Sequence, residues 1–191
     1  MLDPDMLLDA YKSTYFPMAE PDTGEIFWYS PDPRAVFDLY ELQPPRSLRK
    51  ILNKNIFEFR INSAFVEVIE ACGKREDTWI SNEIIESYIN LYELGFAHSV
   101  EAYYEGELAG GLYGVSIGGA FFGESMFYRV SNASKAAFFH LVARLIEREF
   151  ILLDTQFLCE HTKELGAIEI SKGSYMEILE QAIALPRRFV D

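Results

Sequence analysis

The chain has 191 residues, 49% hydrophobic and 15% aromatic, which is enough for one large domain or a medium domain with a small appendage. No run approaches 18 uninterrupted apolar residues, which excludes a membrane-spanning helix, and Met1-Leu-Asp-Pro-Asp-Met6 lacks the basic-then-apolar pattern of a secretion signal. Two cysteines, Cys72 and Cys159, make no disulfide framework, so a reducing cytosol is the expected compartment, and a net charge of −13 taken alone argues against nucleic acid.

Along the chain, Asp3-Pro4 is a cap followed by a first-turn proline, which predicts a helix from Pro4 to about Lys12. A stretch punctuated by Pro and Gly follows, from Phe16-Pro17 to Pro33, with Ile26–Tyr29 as a short apolar strand. Asn62 or Ser63 can cap a helix carrying Phe65, Val68, Ile69 and Cys72, with Gly73 as its stop. These pieces predict a small α+β lobe over residues 1–73.

From residue 74 to 191 the pattern changes. Ser81 caps a helix with Ile84, Ile85, Tyr88, Leu91 and Tyr92 on one face, ending at Gly95. Strands at Ala97–Tyr104, Leu108–Ile117 and Ala120–Arg129 are separated by Glu105-Gly106 and Gly118-Gly119, which predicts an antiparallel meander. Ser131 or Asn132 opens a long helix to about Arg148, then come a strand at Phe150–Phe157, a short helix near His161–Leu165, a strand at Ala167–Ile170 and a last helix from about Ser174.

Charge is unevenly spread. Between Pro44 and Arg75 lie Arg46, Arg49, Lys50, Lys54, Arg60, Lys74 and Arg75 against three acids, a local charge of +4 where the rest of the chain carries −17. Such an island can hold a phosphate backbone locally, or it can be ordinary solvated surface.

Two apolar strands carry polar residues where core is expected. Glu124 follows Phe121-Phe122-Gly123, and Asp154 and Gln156 follow Ile151-Leu-Leu153. Side chains two apart on a strand share a face, so Asp154 and Gln156 should point the same way. Charged groups inside apolar strands cost several kcal/mol unless paired or used, so together they predict a polar site cut into the core. His98, His140 and His161 lie in unrelated segments and make no zinc pattern. No P-loop, dinucleotide fingerprint or Gly-x-Ser-x-Gly elbow is present.

The element order resembles the acyltransferase fold of the GCN5-related family. Its acetyl-coenzyme A members carry a glycine-rich loop before the long helix, whereas Val130-Ser-Asn-Ala-Ser-Lys135 has no glycine, which implies a different acyl donor.

Eight strings in order carry a closer resemblance: Trp28-Tyr-Ser-Pro-Asp-Pro-Arg34, Arg46-Ser-Leu-Arg49, Thr78-Trp-Ile80, Glu93-Leu-Gly-Phe-Ala-His-Ser-Val-Glu101, Gly110-Gly-Leu-Tyr-Gly114, Phe122-Gly-Glu-Ser-Met-Phe127, Asn132-Ala-Ser-Lys135 and Asp154-Thr-Gln156. They resemble the leucyl/phenylalanyl-tRNA–protein transferase family from about Tyr15 to the last helix. Departures include Trp28-Tyr29 for the usual paired tryptophans and Leu112 where methionine is common.

The resemblance implies a cytosolic enzyme that moves leucine or phenylalanine from tRNA to a protein beginning with arginine or lysine, marking it for N-degron proteolysis. Methionine is a further candidate donor. It implies no cofactor and no metal, and a monomer is expected. Leu112, Met126, Phe138, Leu141 and Leu145 would line the aminoacyl pocket, with Met126 on the strand face of Glu124. Trp28, Trp79 and Tyr88 would border the terminal adenosine. Arg46, Arg49, Lys50 and Lys54 would meet the tRNA backbone.

Glu124 would attract the acceptor's ammonium or basic side chain, or orient the α-amine of the ester. A bland alternative pairs it with Arg129 or Lys135. Asp154 and Gln156 would form a catalytic pair, with the proton leaving through Asp154, a water or the departing tRNA hydroxyl. An acetyl-coenzyme A N-acyltransferase and a non-catalytic tRNA- or degron-binding module are the competing readings.

Overall fold

The computed structural model describes residues 1–74 and 78–191. In chain order the elements are α1 (Pro4–Lys12), β1 (Phe16–Ala19), β2 (Ile26–Tyr29), β3 (Arg34–Phe37), α2 (Arg46–Leu52), β4 (Glu58–Ile61), α3 (Phe65–Cys72) and α4 (Asn82–Glu93). There follow β5 (Ala97–Tyr104), β6 (Glu107–Ile117), β7 (Ala120–Tyr128), α5 (Ala133–Glu147), β8 (Leu152–Gln156), α6 (Glu160–Leu165), β9 (Ile168–Ile170) and α7 (Lys172–Ala184).

β1 and β2 form a separate antiparallel hairpin. The other strands make one seven-stranded sheet in the order β4-β5-β6-β7-β8-β3-β9. Its pairs are antiparallel except β7 with β8, which run parallel. This is the expected α+β class with a mixed, mainly antiparallel sheet.

The 3.6-residue periodicity of each helix lays an apolar stripe on that sheet. Leu7 and Tyr11 of α1, Val68 and Ile69 of α3, Ile84 and Leu91 of α4, and Tyr175 and Leu179 of α7 pack on one face. Leu48 of α2 and Phe138, Leu141 and Leu145 of α5 pack on the other. Burying each such side chain contributes about 1.5–3 kcal/mol, so the two layers outweigh the weak propensities of the short helices.

Sequence and structure part at four elements. β1, β3, α2 and β4 are not foreseen, because each has only four to seven residues and no sustained periodicity. β3 and β4, which the sequence assigns to the lobe 1–73, are strands of the large sheet, and β3 lies between β8 and β9. The cap of α3 also differs. Neither Asn62 nor Ser63 supplies it; instead the buried Glu101 carboxylate on β5 accepts from the Ser63 amide at 3.4 Å and the Ala64 amide at 3.3 Å. A negative charge at a helix N-terminus satisfies both the free amides and the dipole.

Two local features shape β6 and β7. Gly118, at φ +56°, turns β6 into β7 where a Cβ would stand 2.7 Å from the Ala182 carbonyl oxygen of α7, so α7 can sit tight on the turn. Farther along, Gly114 pairs with Gly123 but Tyr113 pairs with Ser125, which leaves Glu124 as the extra residue of a β-bulge.

Candidate active site

β7 and β8 pair only from Ala120–Leu152 to Phe122–Asp154. Glu124 lies just beyond the last pair on β7, and Gln156 ends β8. A cavity of about 190 Å³ opens at this point. Its apolar wall includes Phe37, Leu112, Met126, Phe138, Leu141 and Leu153, with Trp79, Thr155, Cys159 and His161 also lining it. Four of the five expected pocket residues are therefore present. Leu145 is not; it is fully buried in the core under α5.

The bulge corrects one expectation. Phe122 packs in the first core layer and Phe127 does too, although strict alternation would separate them. The extra residue reverses the faces, so Met126 packs with the α5 layer while Glu124 turns towards α1.

Glu124 is held from two directions through Oε1. The Tyr11 hydroxyl of α1 donates to it, and the Gln156 side-chain amide donates at 3.1 Å. Tyr11 also shares a hydrogen bond with Tyr88 of α4. Oε2 is buried and has no hydrogen-bond partner among the described residues. Burial pushes the Glu124 carboxyl up to about 8, against the lowering effect of its bonds to Tyr11 and Gln156. Burial and the neighbouring Glu124 hold Tyr11 and Tyr88 well above the usual phenol range, so both are neutral donors.

The alternative in which Glu124 pairs with Arg129 or Lys135 does not occur. Arg129 bonds Glu67 at 2.9 Å, and Lys135 lies 3.6 Å from Glu164.

Asp154 has a different setting from the one expected. It is 0% exposed. Its Oδ1 accepts from Arg34 Nε at 3.0 Å and from the Gln156 backbone N–H at 2.8 Å. Its Oδ2 accepts from Arg34 Nη2 at 2.6 Å and from the Tyr175 hydroxyl at 2.8 Å. Four donors fill the four acceptor positions of a carboxylate. Asp154 thus has all four acceptor positions filled by the protein, although it lies against the cavity. Gln156 adopts φ 68° at the end of β8, where the register with β3 shifts.

The remaining candidates divide. Trp79 lines the cavity, and its carbonyl accepts from Ala19 N at 3.0 Å, which joins it to the β1 edge. Tyr88 is fully buried with no ring face open to a base; it belongs to the Glu124 chain of hydroxyls. Trp28 lies on β2, packs on the core and does not line the cavity. Arg46, Arg49, Lys50 and Lys54 are exposed on and just after α2, which packs against α5. Arg75 of the basic island lies outside the described residues.

Sequence reasoning missed Tyr11, Arg34 and Tyr175. Arg34 carried a usable signal, a charge directly before the apolar Ala35-Val-Phe37. Tyr11 and Tyr175 carried none, since an aromatic on an apolar helix face reads as core.

The family model for leucyl/phenylalanyl-tRNA protein transferase matches residues 36–180, and the model for that protein's N-terminal domain matches residues 1–32. A leucyl/phenylalanyl-tRNA–protein transferase of Gloeobacter violaceus is 54% identical over 188 residues, covering 98% of this chain and 97% of the relative. Counterparts in Rubrobacter xylanophilus and Chlorobium limicola are 49% and 48% identical, covering 98% and 96% of this chain and the same shares of the relatives. Among solved structures, L-PGS from Bacillus licheniformis superposes with a TM-score of 0.51 at 12% identity, over 96% of this chain and 71% of that one, a likeness of fold. The identities and near-complete coverage establish that the chain belongs to the leucyl/phenylalanyl-tRNA protein transferase family.

Proposed function

We propose that this chain transfers leucine or phenylalanine from aminoacyl-tRNA to the N-terminus of an acceptor protein that begins with arginine or lysine, marking it for N-degron proteolysis in a bacterial cytosol. The observation that carries this reading is a medium-sized apolar cavity with a carboxylic acid, Glu124, in its wall, held from behind by the Gln156 amide. The two substrates present that pattern between them: the aminoacyl ester brings the apolar side chain, and the acceptor brings the amine that meets the acid.

In this reading the side chain enters between Leu112, Phe138 and Leu141. Trp79, which lines the cavity, borders the terminal adenosine, and stacking of that kind contributes about 1–3 kcal/mol per base. Arg46, Arg49, Lys50 and Lys54 meet the tRNA backbone. The acceptor enters as an α-ammonium, with an ordinary pKa near 7.7–8.0. Burial raises the Glu124 carboxyl towards the range of that ammonium, so its ionised form can take the proton. The freed amine attacks the ester carbonyl. The peptide bond forms, the bond to the ribose oxygen breaks, and that oxygen leaves carrying a proton.

Gln156 donates to Glu124 through Nε2, which leaves its amide oxygen to accept an N–H of the attacking amine. Its part is orientation, since an amide is a poor base. The acyl ester is already activated, so positioning supplies much of the acceleration, up to roughly 7–11 kcal/mol. No cofactor enters the scheme, and the enzyme works as a monomer. The test is transfer of labelled leucine from charged tRNA to peptides differing only in their first residue. Transfer to Arg- and Lys-initiated peptides, and little to an Ala-initiated one, supports the reading.

A further inference from the structure

Arg34 is 1% exposed and makes contacts that a surface arginine never assembles. Its Nε and Nη2 clamp the two oxygens of Asp154, and its Nη1 donates to the Thr14 carbonyl at 2.8 Å. Its guanidinium carbon lies 4.9 Å from the Phe16 ring centre and 4.5 Å from that of Tyr175. Burial opposes its charge, but Asp154 beside it more than restores the protonated form. The residue falls between the two matched segments, 1–32 and 36–180, and touches the turn after α1, strand β8 through Asp154, and α7 through Tyr175.

Asp154 holds the backbone N–H of Gln156 with Oδ1, the oxygen that Arg34 Nε fixes. Gln156 stands at φ 68°, a conformation that a residue with a side chain adopts at a cost and keeps only where its surroundings fix it. At that conformation its side chain reaches Glu124.

We propose that Arg34 is a positioning residue for aminoacyl transfer: through Asp154 it fixes the backbone of Gln156, and so the place of the Gln156 amide against Glu124. Arg34 touches no substrate. Lysine at this position keeps the charge and loses the two-pronged fork, so Asp154 is free to rotate.

The rate part of this inference rests on the transfer reaction proposed above, and the positional part does not, so the experiment reads both. Single-turnover transfer and charged-tRNA binding are measured for Arg34→Lys in the parent chain and in a Gln156→Ala background, together with hydrogen exchange of the Gln156 backbone amide. We expect Arg34→Lys to slow transfer about 100-fold, the scale of an ångström-sized misplacement, with unchanged tRNA affinity. It should cost nothing further in the Gln156→Ala background, and the Gln156 amide should exchange faster. Equal slowing in both backgrounds, or an unchanged Gln156 amide, overturns the proposal and leaves Arg34 a plain core ion pair. If the parent chain transfers nothing while the amide responds, the proposed reaction fails and the positioning stands. Should Arg34→Lys not fold, the neutral pair Arg34→Gln with Asp154→Asn replaces it, with the same expectations.

Discussion

The Gln156 side-chain amide donates to Glu124 Oε1 at 3.1 Å across the gap where β7 and β8 part. The bond links a bulge residue on one strand to a left-handed residue on the other. Neither local geometry would be kept in a plain strand, and together they set the Gln156 amide against Glu124, which lines the cavity.

The raised Glu124 carboxyl gives a pH dependence with a definite sign. Its folded pKa, about 8, lies above the ordinary 4.5, so its contribution to stability is fully present below pH 4.5 and is lost as pH rises through about 8. The groups facing it are Tyr11 of α1, Tyr88 of α4, Asp154 of β8 and Arg34 of β3. His98 runs the other way: burial lowers it from 6.5 to about 4, so its contribution is lost as pH falls from 6.5 towards 4. Denaturation curves of the parent chain and Glu124→Gln between pH 6.5 and 9 isolate the first effect. The parent should lose stability relative to the variant as pH rises.

Asp154→Asn is expected to act chiefly on folding. It leaves the Arg34 charge buried without its partner, which costs about 3–5 kcal/mol. Urea midpoints check this. Gln156→Ala should leave the midpoint near the parent value and lower the single-turnover rate by about 10²-fold or more at unchanged tRNA affinity, the pattern of an interaction made mainly in the transition state.

How far the sequence reaches is clear from this pair. Glu124, Asp154 and Gln156 were legible because each puts a polar group in an apolar strand, and Leu112, Met126, Phe138 and Leu141 followed from the resemblance. The division of labour within Asp154 and Gln156 was not legible. It depends on Arg34 and Tyr175, which lie 120 and 21 residues from Asp154 and meet it only in the folded sheet. The same holds for Tyr88, whose helical spacing says that it faces inward but not that its hydroxyl ends on Tyr11.

Donor choice should follow cavity shape. Leu112→Phe fills space beside Met126, its cross-strand partner, and should shift preference from phenylalanine towards leucine. Apolar discrimination is limited to roughly 1–3 kcal/mol per methylene, so a ratio change of about 10- to 200-fold is the expected range. Competition between the two charged tRNAs measures it; an unchanged ratio would remove Leu112 from the pocket wall.

The exposed basic helix should give tRNA binding a salt dependence that the overall charge of −13 does not suggest. Replacing Arg46 and Lys50 with alanine should weaken all charged tRNAs alike and flatten the log–log salt slope by about one unit for each phosphate that is no longer neutralised. Filter binding across a salt series checks this, and an unaltered slope would make α2 ordinary surface.

We propose that aminoacyl transfer takes place where β7 and β8 separate, beside Glu124 and Gln156. The most direct measurement is single-turnover transfer of labelled leucine from charged tRNA to an Arg-initiated peptide by the parent chain, Glu124→Gln and Gln156→Ala, with tRNA affinity measured alongside. Rapid transfer by the parent, and a loss of about 10²-fold or more in each variant at unchanged affinity, is the predicted result. Parent-like rates in both variants, or no transfer by the parent chain, would contradict it.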